Sequence, residues 1–341
     1  MKTINFIDIF SGCGGLSLGF SQAKFFCLGA IDNNKDALET FSLNHPQSKI
    51  LKKSIEQVTT VDLEKLQEKK KVHILVGGPP CQGFSFLGTN KKNDPRNFLF
   101  KEYLRIVKFY NPEVILFENV QGILSKKYEP IFKKIIKELT ILGFHINHCV
   151  LNSFFYTTPQ ERKRVFILGA KKKILSFPEK KKKHLSIQDS WNSFLNKKKL
   201  YNHDLEHTFI KNALSLERLR CIPEGGSIRY QKDEDFFLPK HLKFNIDWNL
   251  LPEKRFREKK LQRLHFSKPS PTIVCSESAY YHPQEHRKLS CREAASCQGF
   301  PWNFQFKGTR TSIFKQIGNA VPPPLAFHIA QEIKKQYFDK K

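Results

Sequence analysis

The first half of the chain alternates short apolar runs with amphipathic, charged stretches. Residues 5–10 (NFIDIF) read as a buried strand and residues 29–32 as the end of a second. Residues 73–76 (HILV), 113–118 (EVILFE) and 164–169 (RVFILG) give three more. Between them, 36–45, 101–110 and 129–142 predict helices, the last with apolar residues at helical spacing. Strands alternating with helices of this length predict an α/β chain with a doubly wound, mostly parallel, Rossmann-like sheet.

From residue 170 the texture changes. Lysine runs at 171–173, 180–183 and 197–199 give way to irregular polar sequence with scattered aromatics, and regular patterning returns near Arg287. Three parts are therefore expected: a large domain at 1–170, a smaller one at 171–287, and a return at 288–341. No internal repeat is visible. Of the 341 residues, 40% are hydrophobic and 31 are Phe, enough for a sizeable core. Lys and Arg number 58 against 32 acids, a net charge of +26. AT-rich coding inflates Lys, but an excess this large also creates a field that attracts polyanions, so nucleic acid is the expected partner. The first ten residues lack the apolar core of a signal peptide, and no run approaches the roughly 18 apolar residues of a spanning helix, so a cytoplasmic protein away from membranes is expected. The eight cysteines form no C-x-x-C pair, which predicts no metal site and, Cys81 apart, mostly small buried apolar residues.

Chemistry concentrates at the strand ends. Phe10, Ser11, Gly12, Cys13, Gly14 and Gly15 follow the first strand; a Gly-rich turn there lets backbone approach a ligand, and the next helix offers its N-terminus. The glycine spacing differs from G-x-G-x-x-G. About twenty residues on, Asp32 ends the second strand, where an acid binds ribose hydroxyls; the pair points to an adenosine-containing cofactor. Gly77-Gly78-Pro79-Pro80 fixes a backbone path just ahead of Cys81, at the carboxyl end of a strand. A structural cysteine needs no such platform, whereas a nucleophile does. Glu118 ends the next strand, and Arg162 and Arg164 precede the fifth, bringing guanidiniums that hold a carbonyl or phosphate.

In these residues the sequence resembles the DNA (cytosine-5) methyltransferases. FSGCGG at 10–15 resembles that family's cofactor loop, PPCQGFS at 79–85 its catalytic loop, ENV at 118–120 its substrate acid and QERKR at 160–164 its arginine motif. Residues 287–301 (RKLSCREAASCQGFP) resemble the support of the recognition domain, and QIGNAVPP at 316–323 the segment that completes the cofactor pocket. The resemblance implies a methyltransferase fold that transfers a methyl group from S-adenosyl-L-methionine to carbon 5 of a flipped-out cytosine in duplex DNA. It makes Cys81 the nucleophile at carbon 6 and Glu118 the partner of the ring nitrogen, with Arg162 and Arg164 steadying base and loop. It also implies that 171–287 recognises the target, that the enzyme acts as a monomer, and that a restriction endonuclease accompanies it in function.

By the same resemblance, Leu16, Asn33, Ser54, Ile55, Pro79, Leu99, Asn319 and Val321 join Phe10, Ser11, Gly12, Gly14, Gly15 and Asp32 around the cofactor. Ser85 and Arg96, in a basic loop after the nucleophile, and Thr272, in a Thr-Ile signal, are the expected DNA contacts. Three positions depart from the family pattern: Asp32 stands where Glu is usual, Asn33 where a large apolar residue packs on adenine, and Ser54 where an acid binds the adenine amine. Arg218, Arg220, Arg229, Gln231, Arg255 and Arg257 carry the side-chain types that read bases. Two alternatives stay open: a tRNA cytosine-5 methyltransferase of the same family, and a catalytically weak homologue that only binds DNA. The long recognition region favours DNA over tRNA.

Overall fold

The computed structural model describes residues 3–80 and 99–339. Among them, seven strands form one sheet: β1 (Asn5–Ile9), β2 (Phe26–Asp32), β3 (Lys49–Lys52), β4 (Ile74–Gly77), β5 (Val114–Val120), β6 (His145–Asn152) and β7 (Lys163–Ala170). Their order is β3-β2-β1-β4-β5-β7-β6. All contacts from β3 to β5 are parallel, and β7 runs antiparallel to both its neighbours. The strand order reverses between β1 and β4, so the crevice for a ligand opens at their carboxyl ends. The expected doubly wound sheet is present, with helices at the predicted places, α1 (Gly15–Gln22), α2 (Lys35–Asn44), α4 (Phe100–Tyr110) and α5 (Glu129–Ile141), and a further one, α3 (Thr60–Gln67), that the patterning did not indicate.

Period-2 alternation assigns the strand side chains to two cores. Ile7 and Ile9, Leu75, Ile115 and Phe117, and Val165 and Ile167 face one core with α3, α4 and α5. Phe6, Ile74 and Val76, Val114 and Leu116, and Phe166 and Leu168 face the other with Leu16 and Phe20 of α1. The second core is closed by α11 (Pro323–Ile333), which contributes Leu325, Ala326, Ile329, Ala330 and Ile333. The end of the chain thus covers the sheet that its beginning builds.

The intervening chain forms α6 (Ile187–Leu195), α7 (Ala213–Arg220), β8 (Ile228–Tyr230), α8 (Gln231–Phe237), β9 (Arg255–Lys260), α9 (Cys291–Cys297) and α10 (Arg310–Asn319). Trp191 and Phe194 of α6 pack with Ala294, Ala295, Phe300, Phe314 and Ile317, while Cys13 of the Gly-rich loop reaches into the same core. A separate small core gathers Ile222, Ile228, Leu238, Leu242 and Trp248. Arg263, 3% exposed, ties the two together. Its guanidinium donates to the carbonyls of Leu219 (3.0 Å) and Ile222 (2.7 Å) on one side and to those of His282 (2.9 Å) and Glu285 (2.7 Å) on the other.

The contact between α1 and α11 leaves no room at Gly19. A Cβ there would lie 2.5 Å from the Phe327 amide nitrogen and 2.5 Å from the Pro323 carbonyl oxygen. Backbone cannot yield as a side chain does, so Gly19→Ala should destabilise the protein by about 1–3 kcal/mol although Ala is the better helix former. An unchanged or higher urea midpoint would contradict this packing.

Candidate active site at the carboxyl edge of the sheet

Because β7 is antiparallel to β5, its first residues lie beside the last residues of β5, with Val120 opposite Arg164. This pairing brings the predicted acid and arginines together. Arg164 Nε lies 3.2 Å from Glu118 Oε1, and both side chains are largely buried. Arg162 is 2% exposed, and its Nε and Nη1 have no hydrogen-bond partner among the described residues. Burial raises the Glu118 carboxyl above its ordinary range, opposed by the charges of Arg164 and Arg162. Burial and the neighbouring Arg164 lower Arg162, with Glu118 acting in the opposite direction. A dry carboxylate with two guanidiniums, one carrying idle donors, is suited to a polar ring that offers both an acceptor oxygen and a proton-sharing nitrogen.

The turn after β4 makes space for this cluster. A Cβ on Gly78 would lie 2.8 Å from Glu118 Oε2, so any larger residue displaces the carboxylate. Pro79 is buried, and its carbonyl accepts from Asn119 Nδ2 at 3.4 Å. Cys81, Ser85 and Arg96 lie outside the described residues.

On the other side of the switch point, the Gly-rich loop is held by Asp32. Its carboxylate accepts from the backbone amides of Gly12 (2.8 Å) and Asn34 (2.8 Å). Phe10 adopts φ 59° and Gly14 φ 90°, a left-handed path rare for a residue like Phe10. Among the described residues, no atom beyond the chain neighbours lies within 4 Å of a Cβ built on Gly12, and the buried Ser11 hydroxyl has no partner. The opposite wall of the turn is tight, with Gly14 against Phe41 and His45, and Gly15 against the Val321 carbonyl. Behind the loop, Asp8 accepts from the Ser17 hydroxyl at 2.6 Å, and burial pushes its pKa up to about 7. Open space, an idle hydroxyl and clustered backbone amides fit the polar end of a nucleoside cofactor.

The remaining predicted positions distribute as follows. Val321 and Leu16 are buried next to the loop, and Asn33 and Asn319 are exposed. Asn319 accepts from the Cys275 thiol at 3.1 Å. Ile55 is 4% exposed and its side chain belongs to the sheet's core, against which Leu99 also packs. Ser54 donates to the carboxylate of Glu56, which stands two residues after the position where an acid was expected. Thr272 donates to the Glu161 carbonyl at 2.8 Å, directly beside Arg162.

Three residues of consequence escaped the sequence reading. Gln160 is fully buried and donates to the Cys297 carbonyl and to Gln298 Oε1, while its own oxygen accepts from the Ile273 amide. Cys275 sits near Arg162 and Arg164 rather than in a core; burial raises its thiol, and the two arginines oppose that. Glu293 is the third, forming a capping box with Ser290 at the start of α9 and taking both Nη donors of Arg287. The Ser290-x-x-Glu293 spacing is a helix-start signature that was available in the sequence.

The profile of the family described as C-5 cytosine-specific DNA methylase matches residues 4–335. Type II methyltransferase M.FnuDI of Fusobacterium nucleatum is 34% identical over 349 residues, spanning 98% of this chain and 95% of that protein. Type II methyltransferase M.DdeI of Desulfomicrobium norvegicum is 32% identical over 385 residues, with 98% and 89% spanned. Among solved structures, a prophage-encoded E. coli chain named as a DNA modification methyltransferase superposes with a TM-score of 0.75 at 23% identity, covering 99% of this chain and all of that one; this likeness concerns the fold. The fold and the site define a methyltransferase of the doubly wound α/β class. The chain belongs to the C-5 cytosine-specific DNA methylase family.

The crowding at Gly78 gives a test of the site that is independent of the nucleophile. Gly78→Ala should move the Glu118 carboxylate and lower the single-turnover rate by about two orders of magnitude, with the melting temperature little changed. A rate within twofold of wild type would mean that Glu118 is not held where the chemistry needs it.

Proposed function

We propose that this protein methylates carbon 5 of cytosine within a specific duplex DNA sequence, through a covalent adduct between Cys81 and carbon 6. The observation that carries the reading is the meeting of Glu118, Arg162 and Arg164 at one strand end beside the Gly-Pro turn that leads into Cys81, with Arg162 donors left unused. Attack by the Cys81 thiolate on carbon 6 makes carbon 5 nucleophilic. Glu118 shares a proton with ring nitrogen 3, its raised affinity for protons favouring that role, and receives the exocyclic amine. Arg162 donates to the ring carbonyl, and Arg164 holds the Glu118 carboxylate. When bound, S-adenosyl-L-methionine supplies an electrophilic methyl group. After transfer, a water molecule takes the carbon 5 proton, the electrons of that bond restore the carbon 5–carbon 6 double bond, and Cys81 leaves carbon 6 as the thiolate. The base must leave the helical stack to reach this buried edge, as base-modifying enzymes require.

Ser11, Gly12, Asp32 and Val321 would hold the donor, and Glu56 would replace the missing acid at 54 toward the adenine amine. Residues 171–287 would face the duplex, with Thr272 bracing the Arg162 segment. The 30–34% identity to Type II methyltransferases supports duplex DNA as substrate and a place in restriction-modification.

Duplex DNA carrying 5-fluorocytosine at the target should trap the wild type as a denaturant-stable adduct, because fluorine cannot leave as the proton does. Cys81→Ser should form none while keeping its fold; an adduct with that variant would remove Cys81 from the mechanism. Glu118→Gln should bind DNA nearly as well as wild type but lose about two to four orders of magnitude in single-turnover rate. A loss under tenfold would exclude Glu118 as the proton-sharing group.

A further inference from the structure

Arg162 lies one residue before β7, and the regular pairing of the sheet stops short of it on both sides. The last pair with β5 is Val120 with Arg164, and the last with β6 is Asn152 with Lys163. The two arginines of the site are therefore held in different ways. The head of Arg164 is fixed by Glu118 at 3.2 Å and by the Lys163 carbonyl, to which its Nη1 donates at 2.8 Å. The Nε and Nη1 of Arg162 have no acceptor among the described residues. A side chain whose head is untethered takes its aim from the backbone that carries it.

That backbone is clamped from the end of β6. The Asn152 side-chain oxygen accepts from the Arg162 amide at 3.0 Å and from the Phe154 amide at 3.3 Å. The next residue, Ser153, is fully buried; its amide donates to the Arg162 carbonyl at 3.0 Å and its hydroxyl to the Gln160 carbonyl at 2.8 Å. Both main-chain polar groups of Arg162 are thus taken by two consecutive residues. An amide oxygen has two lone pairs, so one atom of Asn152 closes its own turn, as Asn does in Asx-turns, and also reaches across to the arginine. The clamp is itself anchored. The Tyr156 hydroxyl donates to the Pro178 carbonyl at 3.0 Å, and the Thr157 hydroxyl bonds the His328 ring of α11 at 3.2 Å.

We propose that Asn152 is a positioning residue for the methyl transfer: with the Ser153 amide it sets the main chain from which the Arg162 guanidinium meets the carbonyl of the extruded cytosine. The proposal rests on the DNA methyltransferase reading above and adds to it a residue outside the Glu118, Arg162 and Arg164 cluster. Displacing a positioned group by about 1 Å costs on the order of a hundredfold in rate. A side chain that places Arg162 therefore acts on the chemical step as well as on the fold.

The test separates the two bonds of Asn152. Asn152→Ser keeps an oxygen that caps the Phe154 amide, as serine does in such turns, but one bond too short to reach Arg162. Asn152→Asp keeps an acceptor for both amides. With the full chain and a duplex library randomised around a central cytosine, Asn152→Ser should lower the single-turnover methylation rate by about 10- to 100-fold, and Asn152→Asp should recover most of that loss. Donor affinity and melting temperature should stay near wild type in both. In an Arg162→Met background the serine change should cost less than about twofold more, because a residue that acts through Arg162 then has nothing left to place. If wild type methylates and Asn152→Ser keeps its rate, or costs the same factor with and without Arg162, the positioning role is overturned alone. A wild type that methylates no cytosine overturns both readings.

Discussion

The constraint on which the rest depends is the burial of three charges, Glu118, Arg162 and Arg164, at one edge of the sheet. Two cations face one anion in a place that water barely reaches, and two nitrogens of Arg162 find no acceptor among the described residues. Each such orphan costs on the order of 1–3 kcal/mol, so the arrangement survives only because its surroundings leave the groups no alternative. The antiparallel entry of β7 supplies the first restraint, since a parallel strand would carry these arginines to the far edge. Asn152 supplies another by accepting from the Arg162 amide at 3.0 Å. A ligand that offers an acceptor to Arg162 relieves the strain of its burial, so binding energy is available at the reacting edge.

The same edge is coupled to the Gly-rich loop through the chain's return. Gln160, two residues before Arg162, bonds Gln298, whose amide donates to the Ala320 carbonyl. The next residue, Val321, presses its carbonyl against Gly15 at the start of α1. Four segments far apart in sequence thus meet through two buried glutamines. Glutamine suits this role because one side chain both donates and accepts without bringing a further charge into an already charged site. The coupling also explains why α11 must seat closely on α1: any slack there would pass through Val321 into the Gly-rich loop.

What the sequence disclosed follows from which forces act locally. β1, β2, β4, β5 and β7 are buried on both faces and read as apolar runs, and α2, α4 and α5 begin and end within a residue of the patterning. β3 (KILK) and β6 (HINHCVLN) escaped because they are the sheet's edges, where polar residues face solvent and alternation is weak. The acid and the arginines were legible because short motifs at strand ends carry them. Arg263 and Gln160 were not, because an arginine or glutamine that binds carbonyls 19 to 138 residues away looks on paper like any surface polar residue. Ile55, expected at the adenine site from its place in a motif, is buried with the sheet's core.

Net charge is a poor guide to where DNA would lie. Of the cations that make up the +26 excess, several rest on aromatic rings of the surface, as Lys180 does over Phe155, Lys197 over Trp302 and Lys172 over Tyr337. These supply a long-range field that attracts a polyanion from any direction. Selectivity needs cations held in a fixed relation to the reacting edge, because phosphate contacts position and base contacts specify. Arg263 fastens the 219–261 core, through Leu219 and Ile222, to the 282–285 segment. The lysine runs therefore bear on how strongly a polyanion is attracted, while one buried arginine fixes how the 219–261 core sits on the 282–285 segment.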